Sequence, residues 1–106
     1  MDVSLDAITV RNNEEAQRYE AEVAGQLAIT QYQRAGDSII FTHTEVPAVL
    51  EGHGIAAKLA RTALDDAAAH GLTVVPLCPY VASYIRRHQE YLPLVDPAYR
   101  QKLTRG

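Results

Sequence analysis

The apolar residues of this chain change period at Pro47, and that change limits the fold more than any other feature. Before it, Tyr19, Ala21 and Val23 alternate with Glu20 and Glu22. Side chains on a strand point to opposite faces in turn, so such alternation marks a strand with one buried side. After it, Ile55, Leu59, Ala63 and Ala67 recur every fourth residue, with Ala56, Ala60 and Leu64 beside them. Lys58, Arg61, Asp65 and Asp66 fall toward the other side, which makes one apolar helical stripe. A chain written this way builds a sheet and lays a helix on it.

Four segments read as strands: "LDAITVRNN", "QRYEAEVAG", "QLAITQYQR" and "DSIIFTHTEV". Ala24-Gly25-Gln26 and Ala35-Gly36-Asp37 read as hairpin turns, so the first half is an antiparallel meander of three or four strands. Pro47 ends the last of them because proline cannot donate to the ladder. The helix should run from Gly54 to His70, with Gly71 at its C-terminal cap and the His70 imidazole near the negative end of the dipole. "LTVVPLC", short and β-branched, suits a strand buried on both faces. "PYVASYIRRH" reads as a second helix with Pro79 in its first turn, and "PLVDPAYRQKLTRG" as a helical turn and a frayed end. The expected fold is α+β, an α/β sandwich around one mixed sheet, in a single domain over residues 1–106.

Bulk properties remove several classes of function. With a net charge of −3, no field draws nucleic acid or an anionic membrane toward the chain, and neither is an expected partner. Cys78 is the one cysteine, so there is neither an internal disulfide nor a zinc-spaced Cys/His set. "MDVSLDAITVRNN" lacks the basic start and apolar run of a signal peptide, and no apolar run approaches the ~20 residues that span a bilayer. The expected location is cytoplasmic. Oligomeric state leaves no trace in the sequence.

The chemistry concentrates at Gly52-His53-Gly54-Ile55-Ala56, where a loop enters the long helix. The first turn of a helix carries N–H groups without partners and partial positive charge, and glycines there let an anion approach the backbone. The same spacing also suits a turn that merely starts a helix. A nucleoside-triphosphate loop needs Gly-Lys-Ser/Thr, whereas Ile55-Ala56 follows Gly54, so nucleotide binding ranks last. A dinucleotide fingerprint needs a third glycine in an opening βαβ unit, which the meander replaces.

The loop resembles the pyrophosphate loop of the GNAT acetyltransferase superfamily, usually Arg/Gln-x-x-Gly-x-Gly/Ala before its central helix. Here the stretch is Glu51-Gly52-His53-Gly54-Ile55-Ala56, with both small positions kept and an acid at the first. Together with "FTHTEVP" and "VVPLCPYVASYIRRHQEY", from Phe41 to Tyr91, it is similar to the small Yjdj-type N-acetyltransferases. The resemblance implies a compact GNAT fold that binds acetyl-coenzyme A and passes its acetyl group to a primary amine on a small molecule or peptide. It places the pyrophosphate on main-chain groups from Gly52 through His53, Gly54, Ile55 and Ala56 to Ala57, while Lys58, Arg61, Arg86 and Arg87 are either holders of the 3′-phosphate or a solvated face. It also makes "IIFTHTEV" the strand that splays from its neighbour to pair with the pantetheine arm, and the N–H near Val46 the donor that polarises the acetyl carbonyl.

Four side chains are candidates for the chemistry. His43 and Glu45, two apart on a strand, should share a face with Phe41 and Ile39, and either could take the proton of the amine. A half-buried histidine and a solvated carboxylate are the bland versions of both. Cys78, beside the entry of the second helix, is either a small buried hydrophobe or a nucleophile that relays the acetyl group. Tyr84 suits protonation of the leaving sulfur or simple packing; the superfamily pattern here is Asn-x-x-Ala then tyrosine, and Pro79 stands at the Asn position before Ala82. Tyr80, Tyr84 and His88 form one stripe whose edge could line the pantetheine channel. The reading that follows is acetyl transfer by direct attack, against a non-catalytic acyl-coenzyme A-binding module that has kept the loop.

Overall fold

The computed structural model describes residues 4–104. Strands β1 (Val10–Asn13), β2 (Arg18–Val23), β3 (Gln26–Ala35), β4 (Ser38–Glu45) and β5 (Thr73–Pro76) form one sheet in that spatial order. The first four are an antiparallel meander and β5 adds parallel to β4, so the sheet is mixed and the fold is α+β. The β2–β3 turn is two residues, Ala24-Gly25, both at positive φ (52° and 77°), matching the twist of the strands it joins. The crossover from β4 to β5 carries α1 (Ile55–Ala69), which closes with Leu72 N–H bonded to Ala67 O and Gly71 N–H to Ala68 O. Helix α2 (Pro79–Arg87) follows β5, and a short α3 (Pro97–Arg100) lies near the end. Among the described residues, no helix is long and apolar enough to cross a membrane.

One core holds the molecule together. Tyr19, Ala28, Tyr32, Ile39 and Phe41 of the sheet pack against Leu59, Ala63, Leu64 and Ala67 of α1 and Val81 and Ile85 of α2. Each large side chain buried there contributes about 1.5–3 kcal/mol. Tyr19 also donates its hydroxyl to Asp66 of α1, and Tyr32 donates to Asn12, so both phenols bury their rings without orphaning oxygen.

Three expectations change. Residues 5–7 are a 3₁₀ turn, so the first strand starts only at Val10. β5 is an edge strand beyond β4, buried on one face only: Val74 is fully buried, Val75 is half-buried and Leu77 is 54% exposed. β-branched residues suit any strand, and sequence alone does not say which strand ends at an edge. The tail is docked rather than frayed as far as Leu103, which is buried, with Gln89 donating to its carbonyl; residues 105 and 106 lie outside the described residues.

Beyond the core, Glu20 on the opposite sheet face is buried among Arg18, Asn13 and Arg11. The Arg18 hydrogen bond, aided by Asn13 and Arg11, holds its carboxyl below the ordinary value against the opposing effect of burial. A carboxyl lowered by folding stabilises fully above its unfolded value, about 4.3, and loses that contribution as pH falls through the folded one. Urea midpoints measured from pH 7 to pH 3 should therefore fall less steeply below about pH 4.3 in Glu20→Gln than in the parent.

Candidate active site

β4 outruns its parallel neighbour. Its pairing with β5 ends at Phe41 opposite Pro76, followed by one bond from Cys78 N–H to Phe41 O (2.8 Å). Among the described strands, Thr42–Glu45 continue with β3 alone alongside, which leaves the other edge of β4 free. Val46 and Pro47 then lead into a 3₁₀ turn, Ala48–Leu50, and the glycine loop.

Gly52 and Gly54 both take positive φ, 82° and 80°, a region costly for residues with a Cβ. A Cβ built on Gly52 would meet nothing within 4 Å, so this backbone faces open space. The first helical bond of α1 is Lys58 N–H to Gly54 O (3.1 Å), which leaves the amides of Ile55, Ala56 and Ala57 ahead of any helical acceptor. These residues, with Val46, Leu50, Glu51, Gly52, Gly54 and Tyr80, line a cleft of about 230 Å³. Its walls are apolar, and its donors are main-chain N–H groups at the positive end of a 15-residue helix.

Of the predicted cofactor residues, Val46, Gly52, Gly54, Ile55, Ala56 and Ala57 meet at this cleft. His53 is half-buried and does not line it. Lys58 is absent from the lining: its ammonium donates to the carbonyls of Leu5 and Ile8 (2.6 Å to the latter). Leu50 and Tyr80 complete the walls. Tyr80 was visible as the first member of the α2 stripe, whereas Leu50 carried no signal beyond its apolarity.

The four predicted catalytic side chains are not gathered together. His43 and Glu45 share a face, but not that of Phe41 and Ile39. The ladder pairs Tyr32 with Phe41 yet Gln31 with His43, so one extra residue, Thr42, bulges β4 and reverses its phase. His43 and Glu45 consequently lie on the face opposite the helices, 55% and 68% exposed, with imidazole and carboxylate 3.9 Å apart. Thr44 turns inward instead, its hydroxyl between Thr30 (3.1 Å) and the Cys78 sulfur (3.3 Å). Cys78 is buried at the N-cap of α2 and does not line the cleft. Tyr84 is buried too, stacked on His88 at 4.2 Å, and burial pushes its phenol above the ordinary value. It is Tyr80, one turn earlier, that reaches the cleft.

Comparison with known proteins decides the family. The chain matches the GCN5-related N-acetyl-transferase family over residues 18–94, which takes in β2 to β5, the loop, α1 and α2. The chain belongs to that family. It is also similar to Protein NATD1 of Mus musculus, 30% identical over 95 residues that cover 85% of this chain and 86% of the relative. Protein NATD1 of Homo sapiens is 34% identical over 73 residues, 66% of this chain and 65% of the relative. At the level of the family this is an N-acetyltransferase domain. The matched span holds every residue placed above around the cleft and on the β4 edge.

Proposed function

We propose that this single domain, of the Yjdj-type branch, transfers the acetyl group of acetyl-coenzyme A to a primary amine by direct attack, the acceptor being a small molecule or a peptide. The observation that carries the reading is the cleft at the start of α1. Its open glycine backbone and three amides without a partner among the described residues fit a pyrophosphate, and the free edge of β4 leads away from it toward Glu45 and His43. Acetyl-coenzyme A supplies, when bound, an acetyl thioester open to attack by an amine. The amides of Ile55, Ala56 and Ala57 hold the phosphates, and the main chain of β4 near Val46 donates to the carbonyl oxygen as charge develops there. The C–N bond forms as the C–S bond breaks, and coenzyme A would leave as a thiolate protonated by solvent; on the open face, the His43 and Glu45 pair accepts the proton that the amine sheds.

One observation favours a second reading, a binding module without turnover. The side-chain charge lining the cleft is the acid Glu51, and Lys58 is committed elsewhere. Both readings require coenzyme A to bind. At about 100 times its dissociation constant a ligand adds about 2.7 kcal/mol, on the order of 10 °C in melting temperature for a domain of this size. Such a shift is expected with coenzyme A and acetyl-coenzyme A but not with ATP. No shift with either coenzyme would sink both readings, and binding without acetylation of any amine in a broad panel would leave the module.

A further inference from the structure

The N-terminal segment touches the glycine loop from outside the cleft. Leu5–Ala7 is a single 3₁₀ turn closed by two local bonds, Ala7 N–H to Ser4 O (3.1 Å) and Ile8 N–H to Leu5 O (3.2 Å). Three contacts fix it to the body. Ile8 is buried in the core. The Leu5 side chain, 38% exposed, stands 3.1 Å from where a Cβ on Gly54 would be. The Lys58 ammonium donates to the carbonyls of Leu5 and Ile8.

Lys58 is where a phosphate would want a cation. It follows Gly54 by four residues, so the two share a face of the helix, and helical side chains lean toward the N-terminus. Its charge is spent on two neutral oxygens beside a cleft whose one charged wall residue, among the described residues, is an acid. Its bonds to the two carbonyls are charged on the donor side alone, whereas a phosphate oxygen brings an opposite charge to the ammonium as well.

We propose that residues 5–8 are a strap that competes with the bound pyrophosphate for Lys58. With the strap docked, the ammonium lies on the Leu5 and Ile8 carbonyls and the cleft holds its anion on main-chain amides alone. With a pyrophosphate in place, Lys58 turns back over Gly54 to the phosphate oxygens, and the strap loosens. The apparent affinity is then the intrinsic one reduced by the fraction of molecules whose Lys58 is free. This rests on the coenzyme A reading above.

Hydrogen–deuterium exchange on the full chain, with and without coenzyme A, reads the strap directly, and calorimetric titration of the same ligand reads its cost. Exchange at residues 5–8 should quicken when coenzyme A binds. Leu5→Ala, which loosens the strap at a residue outside the cleft lining, should bind coenzyme A several-fold more tightly, and that gain should vanish in the Leu5→Ala/Lys58→Met double variant. Binding with unchanged or slowed exchange at residues 5–8, or a Leu5→Ala gain that survives loss of Lys58, overturns the strap and leaves the coenzyme A reading standing. Absence of coenzyme A binding in the parent overturns both.

Discussion

Gly52→Asp is expected to weaken coenzyme A binding by about 100-fold while the protein stays folded, from a loss of about 3 kcal/mol at 1.4 kcal/mol per tenfold. Gly52 sits at φ 82°, where aspartate is among the better-tolerated residues, and its Cβ would enter open space. The backbone cost is of order 1–2 kcal/mol, within the reserve of an ordinary domain. The new carboxylate would stand at the edge of the cleft, where it and a bound phosphate, like charges about 4–5 Å apart, repel by about 3–4 kcal/mol at intermediate dielectric. Glu51→Gln should act in the opposite sense and tighten binding by about tenfold, because it removes the acid already present. Isothermal titration of coenzyme A into both variants checks the pair. Equal affinities in parent, Gly52→Asp and Glu51→Gln would mean that no anion is held at this loop.

His43→Ala is expected to lower kcat for acetyl transfer by about 10²–10⁴-fold, the range for removing a positioned proton acceptor, with coenzyme A affinity unchanged. His43 is on the face of the sheet away from the core, so truncating an imidazole already 55% exposed opens no cavity. Glu45, 3.9 Å away, should matter less if it only orients the ring, and Glu45→Gln then sits between parent and His43→Ala. Cys78→Ala, measured beside them, is expected to keep most of its turnover. The thiol is buried on the other side of the sheet against Thr44, and nothing in direct attack needs it. The reverse ranking, with Cys78→Ala dead and His43→Ala active, would establish a relay through sulfur instead. Single-turnover kinetics with one good amine acceptor is sufficient to rank them.

Much of this protein was legible in its sequence because the physics involved is local. Alternation along Tyr19–Val23, the tight turn at Ala24-Gly25 and the cap at Gly71 depend on residues within a few positions of one another, so the order of strands and helices followed. The glycine loop was legible for the same reason. Its conformation and the first amides of α1 belong to one short stretch, and Gly52 and Gly54 to Ala57 all line the cleft.

Contacts between distant segments were not legible. A single inserted residue at Thr42 turned His43 and Glu45 to the open face and Thr44 inward, and a period of two carries no warning of such a slip. Lys58 reads as a phosphate-binding cation until the segment some fifty residues earlier is seen to offer it two carbonyls. Along α2 the stripe Tyr80, Tyr84, His88 gives each ring equal standing. Only the packing of α1 and residues 89–94 against it buries Tyr84 and leaves Tyr80 at the cleft. The sequence by itself determined the order of the main strands and helices and the glycine entry to α1, since those rest on local geometry. The tertiary structure decided which side chains face the cleft, which face the open side of the sheet and which are spent on the N-terminal turn, since each choice rests on a partner far away in the chain.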